Sequence, residues 1–245
     1  MITTNAHWEE RNMGVSCIEI SIGAKDCFAE AFAAFSTSSA DYQVIKLSVT
    51  RSDLIFEIQK YSFKFVELMT LCKRPAKTPK LMGVQARFVN ATRSKLMDES
   101  QTRELKKAID SGMFKTDRVS IDSNFTQSQS ANRYWGWLQD ELRLGARLYS
   151  LLHDDKPVGF FVLRHLGEGE FRAAIGGIFP EYQSKGYGLS LNYHEIKQAE
   201  ILNAQTISVA YSSNNSSVGV INRALGYTEI SSEYVFVRHQ NNSSK

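Results

Sequence analysis

Two glycines separated by one residue, in Gln183-Ser184-Lys185-Gly186-Tyr187-Gly188, stand between an apolar run and an amphipathic run of this 245-residue chain. With no side chains in the way, the backbone there can approach a ligand closely. A helix opening at this point presents unpaired N–H groups and the positive end of its dipole. The arrangement suits an anion, most naturally the phosphates of a nucleotide-like cofactor. Taken by itself, the hexapeptide also reads as a glycine-rich turn that merely starts a helix.

The flanks narrow the choice. Lys156 to Arg164 reads as a strand, Leu166 to Gly169 as a turn, and Phe171 to Ile178 as the return strand of a hairpin. After the loop, Leu189, Tyr193, Ile196 and Ala199 recur at helical spacing. Thr206 to Tyr211 then reads as a strand, Val218 to Leu225 as a helix and Tyr234 to Arg238 as a last strand. Gly226 suits the left-handed cap that ends a helix, and Tyr227 starts the next strand with a bulky anchor.

The hexapeptide fits (Gln or Arg)-x-x-Gly-x-(Gly or Ala), and so resembles the pyrophosphate loop of the Gcn5-related N-acetyltransferase (GNAT) superfamily. Asn215 followed by Asn222-Arg223-Ala224-Leu225-Gly226-Tyr227 resembles the second cofactor segment of that superfamily, an Asn and then a helix ending in Leu-Gly-(Phe or Tyr). The resemblance covers roughly the last 90 residues, taking the two segments in order. It implies an α/β (α+β) protein of the GNAT fold, a central mixed sheet flanked by helices, that uses acyl-CoA as donor and no metal. Gly177, Ile178 and Phe179 are then expected to pair with the pantetheine arm. Gln183, Ser184, Lys185, Gly186, Tyr187, Gly188 and Asn215 are expected around the cofactor. Gly176-Gly177 hints at a bulge that splays two strands and opens a slot.

Composition sets the outer limits. At 245 residues the chain exceeds a minimal domain of this kind, so an additional small domain is expected. A net charge of +3 is too small to indicate nucleic acid. No apolar run approaches a membrane span, and the first residues lack a secretory pattern, so a cytoplasmic protein without membrane insertion is expected. Cys17, Cys27 and Cys72 are scattered and read as buried thiols rather than metal ligands or disulfides.

The first part reads as a smaller α/β domain over 1–92. Strands are expected at Val15 to Ile22, Tyr42 to Val49, Phe63 to Cys72 and Gln85 to Asn90, with helices at Asp26 to Phe35 and Ser52 to Lys60. Lys73 to Lys80 reads as a basic, proline-broken connection. The acyl-CoA domain is expected over 98–239, opening with helices Gln101 to Ser111 and Ser128 to Leu144, and 240–245 as a disordered tail.

Proton handling departs from the family pattern. Relatives often carry a Glu on the strand before the loop, but Phe171 to Phe179 holds no acid and the nearest carboxylate is Glu181. The family's acidic Tyr, four residues before the glycine of Leu-Gly-(Phe or Tyr), is Asn222 here. An amide can hydrogen-bond sulfur but does not deliver a proton, so either Asn222 steadies the thiolate electrostatically, or a hydroxyl of Tyr187, Tyr193 or Tyr227, or solvent, does the work. The opening His7-Trp8-Glu9-Glu10-Arg11-Asn12-Met13-Gly14 resembles nucleotide-linked amino-sugar acetyltransferases of surface-polysaccharide pathways, such as O-antigen and lipopolysaccharide synthesis. This finer resemblance implies transfer to a dTDP-linked amino-dideoxyhexose by direct attack in a ternary complex. Arg118, Tyr134, Arg164 and His165 are then acceptor candidates, and a homodimer is expected. Other amine acceptors (protein, polyamine, antibiotic) and an inactive CoA-binding module remain as alternatives.

Overall fold

A computed structural model describes residues 1–240. The chain opens with β1 (Ile2–Asn5), α1 (His7–Met13), β2 (Cys17–Ile22), α2 (Phe28–Thr37) and β3 (Tyr42–Ser48). A 3-10 turn leads to α3 (Ile55–Lys60), β4 (Lys64–Pro75) and α4 (Gly83–Asn90). The next segment holds β5 (Thr92–Leu96), α5 (Glu99–Asp110), α6 (Gln127–Arg143), β6 (Arg147–His153), β7 (Lys156–Gly167) and β8 (Glu170–Ile178). It closes with α7 (Tyr187–Ile201), β9 (Thr206–Ser212), α8 (Ser216–Ala224) and β10 (Thr228–His239).

All ten strands form one mixed sheet in the order β1-β2-β3-β10-β4-β9-β8-β7-β6-β5. Among the described residues only β2/β3 and β8/β9 run parallel. The last strand inserts between β3 and β4, and β4 lies against β9, so segments 1–92 and 98–239 share a single sheet. Alternation along the strands serves two faces. Leu148, Phe160, Val162 and Ile175 pack under α5 and α6, whereas Leu151, Phe161, Leu163 and Ala173 pack under α7. The ends of α5 and α6 are fixed by capping boxes, Asp98 with Gln101 and Thr126 with Gln129, each satisfying two orphan N–H groups.

Several sequence expectations change. Gln85 to Asn90 is helical, within α4: Val84, Ala86 and Phe88 imitate a period of two, but Ala86 and Val89, three apart, turn inward. The basic connection begins later than expected, because Lys73, Arg74 and Pro75 extend β4 along β9. Helix α7 has no single apolar stripe. Leu189 and Tyr193 are half-buried, while Leu191, Asn192, His194, Glu195 and Ile196 are all buried. Of the thiols, Cys17 and Cys72 are buried but Cys27 is exposed. Gln240 is tied through its N–H to the Asp41 carbonyl and through its amide to Ser38, and the rest of the expected tail lies outside the described residues. Among the described residues no helix is long and apolar enough to cross a membrane.

Candidate functional site: a slot between two parted parallel strands

Strands β8 and β9 pair only from Glu170↔Thr206 to Ala173↔Val209, yet β8 continues along β7 as far as Ile178. Beyond Ala173 the two parallel strands therefore part, and the β9-facing edge of β8 is left without a strand partner. The cause is a bulge. Val162 pairs with Ile175 and Leu163 with Ala173, so Ala174 is the extra residue. The bulge thus sits at Ala174 and not at Gly176-Gly177. The glycines have another task, allowing close approach. A Cβ on Gly159 would lie 2.6 Å from the Gly177 carbonyl oxygen, and one on Gly177 would lie 2.6 Å from the Met113 methyl.

The glycine loop follows at the open end. Phe179, buried under α6, anchors β8's end, and Gln183 supports the loop by donating its amide N–H to the Ile178 carbonyl at 3.1 Å. Ser184 (φ +61°) and Gly186 (φ +87°) both take left-handed backbone, turning the chain into α7. Gly186 is the N-cap, with no side chain capping the helix, so the first N–H groups face outward without a side-chain acceptor. Lys185 is exposed and rests over the Tyr182 ring at 5.5 Å. Tyr187 turns inward, its hydroxyl 2.6 Å from His153 Nδ1. Phe88 of α4 stands 3.8 Å from where a Gly186 Cβ would be, so α4 walls the loop, a part the strand assignment for 85–90 hid. Asn215 is the N-cap residue of α8 but makes no side-chain bond to a helix N–H; its side-chain Oδ1 accepts from the Ser217 hydroxyl at 2.9 Å.

Beneath the slot, on the α7 side, lies a buried polar group of side chains. Asn222 is 1% exposed and accepts from the Asn192 amide at 2.9 Å, while its own Nδ2 has no partner. The Tyr227 hydroxyl and the Ser190 hydroxyl are likewise buried without partners among the described residues. Glu195 adds a carboxyl whose Oε1 is 3.1 Å from where a Gly176 Cβ would be. Burial pushes the Glu195 carboxyl up to about 8. Burial, and then the Glu195 charge, raises Tyr227. Sequence periodicity passes over Glu195, because nothing in a helix run marks which charged residue faces inward. Glu181, the sequence candidate, is exposed on the turn before the loop.

On the other face, the loop between α5 and α6 covers Gly177 with Met113 and Phe114. A cavity of about 400 Å³ beside Phe114 is lined also by Ser111, Lys115, Ser120, Phe125 and Tyr134, among others. Tyr134 is buried and stacks on Phe114 at 3.8 Å. The remaining acceptor candidates are elsewhere. The Arg118 guanidinium is held by Glu9 at 3.0 Å and Glu19 at 2.6 Å, beside a second cavity of about 310 Å³ lined by Trp8 and Trp137. Arg164 pairs with Glu141 at 3.2 Å, and His165 packs on Phe171. Among the described residues no three His, Cys, Asp or Glu converge as a metal site. Burial pushes the Cys17 thiol up to about 12, which removes it as a nucleophile.

Sheet, slot and loop together define the GNAT fold. Residues 115–227, a little under half of the chain, match the family model described as Acetyltransferase (GNAT) family. Solved structures share the fold. A conserved protein of unknown function from Staphylococcus epidermidis aligns with TM-score 0.61 and 10% identity, over 92% of this chain and 84% of that one. A GCN5-related N-acetyltransferase from Kribbella flavida gives 0.54 and 14%, over 93% and 83%. A GCN5-related glucosamine N-acetyltransferase region of a fungal multi-domain β-N-acetylglucosaminidase gives 0.57 and 15%, over 86% of this chain and 27% of that one. No curated protein matches the chain.

Proposed function

We propose that the chain is an acyl-CoA-dependent N-acyltransferase whose acceptor is the amine of a polyhydroxylated small molecule, an amino sugar of the nucleotide-linked class. The observation that carries the donor half is the parting of β8 from β9 beside an uncapped, glycine-opened helix. The freed β8 edge offers backbone groups to an extended arm, and the start of α7 offers N–H groups and dipole to a diphosphate. Holding a thioester there next to an amine supplies much of the rate through positioning.

The acceptor half is supported by the cavity beside Phe114, whose ring also covers Gly177. Its lining carries hydroxyls and aromatic rings, with Lys115 the only charged side chain. Hydroxyl donors and ring faces suit a sugar, whereas a polyamine or basic peptide calls for carboxylates. Arg118 is committed to two glutamates, so within the nucleotide-sugar reading the diphosphate falls to Lys115.

Thiol release from acetyl-CoA and longer acyl-CoAs tests this, with a dTDP-4-amino-4,6-dideoxyhexose, glucosamine, spermidine and a basic peptide as acceptors. Turnover with the amino sugars and none with the polycations is expected. Preference for spermidine or the peptide overturns the acceptor assignment, and failure to bind CoA overturns the donor assignment.

A further inference from the structure

We propose, resting on the acyltransferase reading above, that Glu195 is the general acid of the transfer step, delivering a proton to the sulfur that leaves. The position where the family carries an acidic Tyr holds Asn222, which cannot fill that role. The space around it is not repacked with apolar groups. Instead Asn192 and Asn222 form a buried amide pair, and the buried Glu195 lies near enough to Tyr227 to act on its hydroxyl.

Three observations carry the assignment. First, the carboxyl borders the slot, since Glu195 Oε1 would touch any Cβ on Gly176, and Gly176 is exposed within the freed stretch of β8. Second, Asn222 Nδ2 and the Tyr227 hydroxyl are buried and unpaired, and donors left so are costly in a native interior unless a ligand acceptor meets them. Third, Glu195 is 4% exposed and makes no hydrogen bond or ion pair among the described residues. A carboxyl kept in that setting stays protonated at neutral pH, and its value of about 8 is near that of a thiol. The groups facing it from other elements do not offset this. Tyr227 is itself raised, Cys72 of β4 is buried and raised, and Arg74 of β4 lies over the far ring of Tyr227 at 5.7 Å. His194, its neighbour on α7, turns away to Thr92 and Ser94.

The step balances without another reactant. The acceptor nitrogen bonds to the acyl carbon, the carbon–sulfur bond breaks, and sulfur keeps the electron pair. Glu195 gives sulfur its proton and ends as carboxylate. The proton shed by the new amide nitrogen passes to water, and water returns one to Glu195.

The test uses the full chain and E195Q, an isostere that keeps the fold but cannot donate as an acid. Wild type is expected to lose kcat as pH rises through about 8. E195Q is expected to lose at least ~100-fold in kcat and that pH limb, with an unchanged KM for acyl-CoA, while E195D recovers part of both. Calorimetry adds a readout that needs no acceptor. Wild-type affinity for CoA is expected to fall about tenfold between pH 7 and 9, as the carboxylate forms opposite the sulfur, while desulfo-CoA and E195Q each change less than about threefold. Turnover by E195Q within threefold of wild type, or identical CoA and desulfo-CoA profiles in both proteins, overturns the proposal. A wild type that neither binds CoA nor turns over overturns the acyltransferase reading itself, and the proposal with it.

Discussion

Replacing Arg118 by Met separates a structural role for this arginine from a role in binding a diphosphate. The guanidinium sits between Glu9, which is fully buried, and Glu19, which is 8% exposed. Burial alone would raise the Glu19 carboxyl; Arg118 and then Lys46 overcome it and hold the group down to about 2 from about 4.5. At ~1.4 kcal/mol per tenfold, the depression corresponds to about 3 kcal/mol, shared between the two cations. Glu9 keeps Arg133, which donates to both its oxygens at 2.9 and 3.0 Å, so it is not stranded. R118M is therefore expected to cost roughly 2 kcal/mol, less than the ~3–5 kcal/mol of a fully stranded buried charge, and R118M/E19Q to recover at least ~1 kcal/mol.

The pH dependence fixes the sign. A depressed carboxyl contributes stability that is complete above its unfolded value of about 4.5 and lost as pH falls toward about 2. The gap between wild type and R118M is thus expected to shrink from pH 7 to pH 3 in urea titrations followed by tryptophan fluorescence, with Trp8 and Trp137 lining the adjoining cavity. A loss below ~1 kcal/mol, or a gap that does not change over that range, refutes the reasoning. Arg118 would then be free for a ligand, and R118M would raise KM for a nucleotide-linked amino sugar more than for the free sugar.

Gly186→Val forces a β-branched residue into φ +87° and is expected to weaken CoA binding at least tenfold by calorimetry, with a backbone cost of ~1–2 kcal/mol. Gly188→Ala, whose methyl meets only the terminal Ile221 Cδ1 at 3.0 Å, is expected to stay within about threefold of wild type. Gly159→Ala drives a methyl to 2.6 Å from the Gly177 carbonyl oxygen, so urea unfolding is expected to show a loss of ~1–3 kcal/mol. Glu195 has a raised value, so its stabilising contribution is complete below about 4.5 and lost as pH rises through about 8. E195L removes that dependence, and its melting temperature is expected to gain on wild type from pH 5 to pH 9, by at most about 5 kcal/mol of stability.

The readable part of this chain is the part where residue type dictates backbone. Gly186 and Gly188 mark the loop because a left-handed φ and a close approach have few other solutions, and Gly226 (φ +82°) marks the end of α8 for the same reason. Helices α5 and α6 are legible as helices at Gln101 to Ser111 and Ser128 to Leu144, and the capping boxes at Asp98 and Thr126 move their starts only one or two residues earlier. The sheet order is not legible, because β10 pairs with β3 and β4 across more than half the chain and no local pattern encodes that choice. Strands β1, β5 and β6 also leave no mark in the sequence reading; β1 and β5 are short edge segments, where burial imposes little alternation. The bulge at Ala174 escapes because an alanine adopts it without any special residue, while the neighbouring glycine pair draws the eye to the wrong position.

What unites the slot with the interior below it is an exchange of apolar for polar character on α7. Leu191, Ile196 and Ala199 keep the helix seated against the sheet, so positions 192 and 195 are not needed for adhesion. An asparagine and a glutamate there lower stability, since neither is repaid by an ion pair, and single polar burials of this kind cost about 1–3 kcal/mol. The Asn192 amide donates to the Asn222 side-chain oxygen, and the buried Nδ2 of Asn222 is left as a donor without a partner among the described residues. A structural explanation has to treat this pair, the unpaired Tyr227 hydroxyl and the unpaired carboxyl as separate defects within one turn of helix and one strand start. The proposed proton transfer to a sulfur beside Gly176 gives the carboxyl, at least, a use that repays its burial.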